Sequence, residues 1–224
     1  MKLSIIIPAF NEENSIVDTL ERLQSLREEG HEVILVDGGS SDQTLKLAKP
    51  LVDHALQSKL GRALQMNNGA VMATNDILLF LHADTRLPRD ATQQIERALN
   101  RMMNVWGCFD VNLSGSRFMF RVIERMINLR SRLTRVATGD QAIFVRRGVF
   151  ELFGGYAEIP LMEDVELSKT LRTISKPCCI KSPVVTSSRR WEEYGTFKTV
   201  LLMWRLRLLY FFGRSPELLA KLYR

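Results

Sequence analysis

Three short, almost wholly apolar runs constrain this chain more than any other feature. Residues 3–7, 33–36 and 77–81 are too short for buried helices and each stops abruptly at polar residues. Between them lie amphipathic stretches of helical period. One covers 14–28, with Ile16, Leu20 and Leu23 on one face; others cover 43–49 and 62–73. A further helix is predicted over 89–103, with Ile95, Leu99 and Met102 in register. Continuous apolar strands alternating with helices imply a largely parallel sheet covered on both faces. Such sheets place ligands beyond the carboxyl ends of their strands. The polar endings P-A-F-N-E-E (8–13), D-G-G-S-S-D-Q-T (37–44) and H-A-D-T (82–85) therefore mark where a site is expected.

The second half is less regular. Residues 106–111 and 142–145 read as strands, and 163–173 as a helix with Leu167, Leu171 and Ile174 inward. With no repeat and no evident linker, one domain over 1–195 is expected, divided into 1–104 and 105–195. An amphipathic helical extension follows over 196–224. At 46% hydrophobic and 25% charged residues, the 224-residue chain is globular in composition and long enough to bury a core without staples. Three cysteines, Cys108, Cys178 and Cys179, with no C-x-x-C spacing, argue against a disulfide framework or a zinc site. They fit a reducing cytoplasm. The opening residues lack the features of a signal peptide, and no uncharged apolar run reaches membrane-spanning length.

Each polar ending has an ordinary explanation taken alone. Asn11, Glu12 and Glu13 suit a helix start, and Asp37-Gly38-Gly39-Ser40 suits a turn. Asp84 has a sharper reading. A carboxylate just beyond a buried strand can hold a hard cation that also grips a diphosphate, because Mg²⁺ needs only one or two carboxylates besides water and phosphate oxygens.

As an ordered set, these segments resemble glycosyltransferase family 2, with its P-x-[FY]-N-E-E, V-D-[DG]-[GN]-S-x-D-x-T and D-x-D-like motifs. G-R-A-L-Q-M-N-N-G-A (61–70), G-D-Q-A-I-F-V (139–145), Glu163-Asp164 and Arg190-Trp191 extend the resemblance over roughly 3–191. The G-R-x-x-Q-M-N-x-G-A and H-A-D variants are similar to those of a small bacterial branch. The resemblance implies an α/β fold of GT-A type, with a mostly parallel central sheet flanked by helices and amphipathic helices at the C-terminus. It implies a metal-dependent, inverting transferase acting on a nucleotide diphosphate-sugar, with Mg²⁺ or Mn²⁺ as cofactor. Pro8, Ala9, Phe10 and Glu12 would border the nucleobase and ribose, and Asp37 with Gly38 would meet the base or ribose. Arg62 would face the base or diphosphate, and Asp84 in the His82-Ala83-Asp84 triplet would hold the metal. Asp164 would be the general base, with Glu163 beside it; Gly139, Asp140, Gln141, Arg190 and Trp191 would line the acceptor side. Many relatives have two acids where this chain has Asp37-Gly38, so UDP- and GDP-sugars both stay open. His82 stands where relatives have aspartate and reads as a ribose contact or a support beside the ligand. Two other readings stay open: a nucleotide-sugar-binding protein without turnover, and a sugar-phosphate nucleotidyltransferase. The glycine- and arginine-rich opening loop of the latter is absent.

The net charge of +6 is unevenly placed. Residues 117–135 carry six arginines against Glu124, and 189–224 carry eight Lys and Arg against three Glu, so the remainder is net negative. In the first segment Phe118, Val122, Met126, Leu129 and Leu133 recur at helical spacing; residues 197–212 are more apolar still, with Trp204, Tyr210, Phe211 and Phe212. Basic amphipathic helices with aromatics suit an anionic membrane surface, and hence a peripheral enzyme on the inner face with an acceptor that is lipid-linked. Packing against the core, or against a second copy of the chain, accounts for the same pattern. No nucleic-acid-binding module is recognisable.

Overall fold

The computed structural model describes residues 1–101 and 103–223. In chain order the first half comprises β1 (Leu3–Ala9), α1 (Ile16–Glu21), α2 (Gln24–Glu28), β2 (Glu32–Asp37), α3 (Thr44–Ala48), β3 (His54–Gln57), α4 (Arg62–Met72) and β4 (Ile77–Phe80). Then come β5 (Thr85–Arg86), α5 (Ala91–Leu99), β6 (Trp106–Leu113), α6 (Phe118–Thr134), β7 (Phe144–Arg146) and α7 (Arg147–Leu152). The chain continues through α8 (Glu163–Leu171), β8 (Cys178–Thr186), α9 (Arg189–Glu193), α10 (Thr196–Phe211) and α11 (Pro216–Tyr223).

Among the described residues eight strands form one sheet in the order β3-β2-β1-β4-β7-β6-β8-β5. β1 pairs in parallel with β2 and β4, and β2 with β3, as the apolar runs imply. The second half is mixed: β7 runs antiparallel to both β4 and β6, and β5 antiparallel to β8, while β6 and β8 are parallel. β1 divides its side chains between two core layers. Ile5 and Ile7 join Ile16, Leu20, Ile95 and Leu99 on one face, and Ile6 joins Ala63, Met66, Leu167 and Leu171 on the other. Each fully buried Ile or Leu contributes about 1.5–3 kcal/mol of transfer free energy.

Two sequence expectations meet a different arrangement, the single helix over 14–28 and the inward Ile174. The helix expected over 14–28 is two helices, because Leu23 N–H bonds the Leu20 carbonyl at 3.0 Å in a tight turn that swings Leu23 into the core. The apolar stripe of α6 faces outward: Phe118, Met126, Leu129 and Leu133 are all exposed. Its packed face carries Phe120, Ile123, Glu124 and Ser131, so of the two readings of this stretch, packing of that stripe against the core is not what the fold uses. Ile174 lies past the end of α8 and is exposed, whereas Leu167 and Leu171 are buried. Met102, assigned to the helix over 89–103, falls outside the described residues.

The start of β1 is tied down by a histidine. Leu3 N–H donates to His31 Nδ1 at 3.0 Å, so the ring must be neutral to accept. Burial, then the nearby Lys2 ammonium, lowers its pKa below the ordinary 6.5, and Glu29 opposes this only in part. The unfolded chain thus binds this proton at a higher pH than the folded one. The His31 contribution is complete above about pH 6.5 and is lost as pH falls toward the depressed folded value. Urea unfolding at pH 7.5 and pH 5 is expected to show a stability loss in the wild type that His31→Asn, which retains an acceptor oxygen, reduces.

Candidate active site

The carboxyl ends of β1 and β4 and the starts of α4 and α8 converge on a pocket of about 410 Å³. From the first half it is lined by Pro8, Glu12, Arg62, His82, Ala83 and Asp84; from the second by Gly139, Asp140, Glu163, Asp164, Arg190 and Trp191. The pairing of β4 with β7 makes this possible, because it carries the 139–141 turn directly over the end of β4. Gly139 lies so close to His82 that a Cβ there would sit 2.5 Å from Nε2.

Arg62, at the first position of α4, reaches Glu163 at 3.6 Å. Burial pulls its pKa down, but the charges of Glu163, Asp164 and Asp84 outweigh that and hold the guanidinium firmly protonated. Glu163 and Asp164 open α8 after Met162, whose φ of 72° is a left-handed conformation costly for a side chain of this kind. Burial, then the charge of Asp164, raises the Glu163 pKa, opposed by Arg62. Asp164 is oriented by backbone amides: Gly139 N–H donates to Oδ2 at 2.9 Å, and its Oδ1 accepts from Val165 N–H at 2.7 Å.

Asp84 has its pKa raised by burial, against the pull of Arg189 and Arg62. Among the described residues no group of three or more His, Cys, Asp and Glu is arranged to hold a metal by itself. A single half-buried carboxylate that gains from a neighbouring positive charge suits an ion completed by water and phosphate oxygens. His82 is held near-neutral with a pKa of about 3, by burial and then by Arg62. Its Nε2 and the Oδ1 of Asp140 are both buried without a protein partner.

Of the remaining predicted residues, Ala9, Phe10, Asp37, Gly38 and Gln141 lie outside the lining. Asp37 is fully buried and its carboxylate accepts from Gly39 N–H and Ser40 N–H, both at 3.0 Å, and from the Ser40 hydroxyl. The Ala9 carbonyl accepts from Gly38 N–H and from Gln65, tying the two turns together, while Phe10 is exposed. Gln141 is buried, its Oε1 accepting from Ser131 at 2.7 Å. Arg190 donates to the Tyr223 carbonyl at 2.9 Å and stacks over that ring at 3.7 Å, which folds α11 back against the pocket. Trp191 packs against Leu113, Phe120 and Ile123.

Sequence reasoning missed Arg189, which pairs with Glu12 at 3.6 Å and faces Asp84. Its only signal was adjacency to Arg190-Trp191. It also missed Arg130 and Arg207, which line the pocket but sit in stretches read as surface charge.

A parallel first half joined through an antiparallel strand to a mixed second half, with acids and arginines gathered at the strand ends, defines an α/β fold of GT-A type. Solved structures agree. Staphylococcus aureus TarS residues 1–349 in complex with UDP superposes with a TM-score of 0.69 at 18% identity, over 84% of this chain and 60% of that one. A mannosyltransferase from Pyrobaculum calidifontis in complex with GDP-Man and Mn²⁺ gives 0.63 at 20% identity, over 83% and 56%. The profile of Glycosyl transferase family 2 matches residues 4–154, and the chain belongs to that family. Glu163, Asp164 and Arg190-Trp191 lie beyond the matched residues. An undecaprenyl-phosphate 4-deoxy-4-formamido-L-arabinose transferase of Sodalis glossinidius is 28% identical over 92% of this chain and 66% of that protein. Its counterpart from Yersinia pestis is 29% identical over 65% and 48%. The chain spans about half to two thirds of the length of these curated relatives.

Proposed function

We propose that the pocket binds a nucleotide diphosphate-sugar and transfers its sugar, with inversion, to an acceptor hydroxyl. The observation that carries this is the meeting of Asp84, Arg62, Arg189 and the Glu163-Asp164 pair in one pocket, although they come from separate parts of the chain. Pro8 and Glu12 border the nucleoside end, and Asp37 with Gly38 keeps the adjoining turns in shape. His82 Nε2 and Asp140 Oδ1 offer hydrogen-bonding capacity to the ribose or sugar. The solved structures carrying UDP and GDP-Man support both nucleotides as donor candidates. The H-A-D and G-R-x-x-Q-M-N-x-G-A motifs favour the bacterial branch they resemble.

A sugar hydroxyl is too weakly acidic to attack unaided, so a carboxylate must accept its proton as the bond to the anomeric carbon forms. Asp164 is the residue we assign to this, because the Gly139 and Val165 amides hold its carboxylate in the pocket while Glu163 is occupied with Arg62. As the bond from the anomeric carbon to the diphosphate breaks, charge grows on the leaving oxygen and Arg62 and Arg189 stabilise it. A Mg²⁺ or Mn²⁺ ion held by Asp84 would add Lewis-acid stabilisation of the same diphosphate. One base and attack opposite the leaving group give inversion.

We also propose an anionic membrane surface as the working location. No described helix is long and apolar enough to cross a membrane. Yet α10 presents Phe197, Leu201, Trp204, Leu208 and Phe211 outward along one ridge, each at least 59% exposed, with Lys198 and Arg205 beside it. An apolar ridge with flanking cations fits the headgroup boundary of anionic lipid.

Thermal-shift titration with UDP, GDP, CDP and ADP, with and without Mn²⁺, tests the donor site. A metal-dependent rise with UDP or GDP is expected and should vanish in Asp84→Ala; no response to any nucleotide would overturn the reading. With the donor so identified, Asp164→Asn should bind nucleotide normally but lose about 10²–10⁴-fold in transfer rate, and unchanged turnover would remove Asp164 as the base. In liposome flotation the protein should rise with phosphatidylglycerol vesicles, and Phe197→Ser with Trp204→Ser should abolish this; flotation by neither protein would exclude the membrane.

A further inference from the structure

The wall of the pocket opposite the donor residues is built from other materials. Ile123, Met126 and Ile127 of α6 face it from one side, and Val200, Met203 and Trp204 of α10 from the other. Into this apolar cleft project two guanidinium groups, Arg130 and Arg207. Among the described residues neither forms an ion pair with a carboxylate. Arg130 is fixed in place, its Nη2 donating to Thr138 Oγ1 at 3.0 Å and Gln141 Oε1 at 3.3 Å. Its Nε is buried and has no partner. Burial, and then the charge of Arg207, bring the Arg130 pKa down to about 10, against the pull of Asp140 and Asp164.

Two like charges beside each other in an apolar cleft are costly unless an anion lies against both. The donor diphosphate has its own cations, since the arginines acting on Asp84 are Arg189 and Arg62. The second pair is left over. Guanidinium groups match phosphate oxygens in geometry as well as charge. The cleft also leads outward, because Met126 and Trp204 are 42% and 60% exposed where α6 and α10 reach the surface. A ligand seated on the arginines would therefore have an apolar channel for whatever follows its phosphate.

We infer that Arg130 and Arg207 form an acceptor subsite for a phosphate ester carried on an apolar chain, with the chain running between α6 and α10. The inference rests on the proposed donor pocket only for the label acceptor; the binding site stands on its own geometry. Arg130 is the half of the clamp held by side-chain hydrogen bonds, and Arg207 is the half reached from α10.

The test is isothermal titration of the full chain with decyl phosphate below its micelle concentration, inorganic phosphate and decanol, in the presence of saturating UDP and Mn²⁺. Decyl phosphate is expected to bind at least about tenfold more tightly than either of the others. Arg207→Gln should remove that advantage, and the control Arg97→Gln, on α5 away from the pocket lining, should retain it. Equal binding of inorganic phosphate would overturn the apolar part. Equal binding of decanol, or an Arg207→Gln variant with wild-type affinity, would overturn the phosphate part. Decyl phosphate that binds only when UDP is omitted would place the anion in the donor site and overturn the inference. A protein that binds decyl phosphate yet ignores every nucleotide would defeat the donor reading and leave this one standing.

Discussion

The antiparallel seam between β4 and β7 is the interaction on which the rest of the site depends. Phe80 N–H bonds the Ile143 carbonyl at 2.9 Å, and Arg147 N–H bonds the Asp76 carbonyl at 2.7 Å, at the two ends of the pairing. Without it, the parallel half would present Pro8, Glu12 and Asp84 to open solvent. With it, the 139–141 turn lies over His82, and Asp164, hydrogen-bonded to that turn, is drawn into the same pocket. A backbone pairing thus sets how the proposed base meets the proposed donor.

The pocket is also a balance of charges that no single residue could hold alone. Glu163, Asp164 and Asp84 would repel one another if left unpaired, and burial already raises the pKa values of Glu163 and Asp84. Arg62 couples to all three. Its position at the start of α4 follows from the packing of that helix on β1, where Gly69 admits the Ile6 side chain at a distance no Cβ would allow. Close packing in one core layer therefore fixes a cation in the site.

Much of the first half was legible because its signal was strong: β1, β2 and β4 are buried on both faces, so their sequences are apolar runs with sharp polar endings. β3 escaped because His54–Gln57 is a half-exposed edge strand of four residues. β8 escaped because Lys181, Ser182 and Pro183 interrupt it. The structure accommodates them with a register shift, in which Phe109 pairs with Ile180 and Asp110 with Pro183. Of the site, Arg62, Asp84, Glu163 and Asp164 stood out through ordered motifs. Arg189, Arg130 and Arg207 did not, because their roles depend on which way a helix is turned, and charge runs look alike on either face.

The same limit explains α10. Its inner side buries Thr199 and Leu206 and lines the pocket with Val200, Met203 and Arg207, while its outer side carries the Phe197–Phe211 ridge. Both sides are apolar, so hydrophobic periodicity could not say which faced the protein. A helix apolar all round is stable in water only if both sides are covered. The fold covers one. The other exposes five large side chains in a row beside Lys198 and Arg205, where an anionic surface offers both burial and countercharge. The cleft between α6 and α10 opens at Trp204, on that uncovered ridge. A lipid surface covering the ridge and a phosphate-bearing chain entering the cleft would therefore approach the protein from the same side.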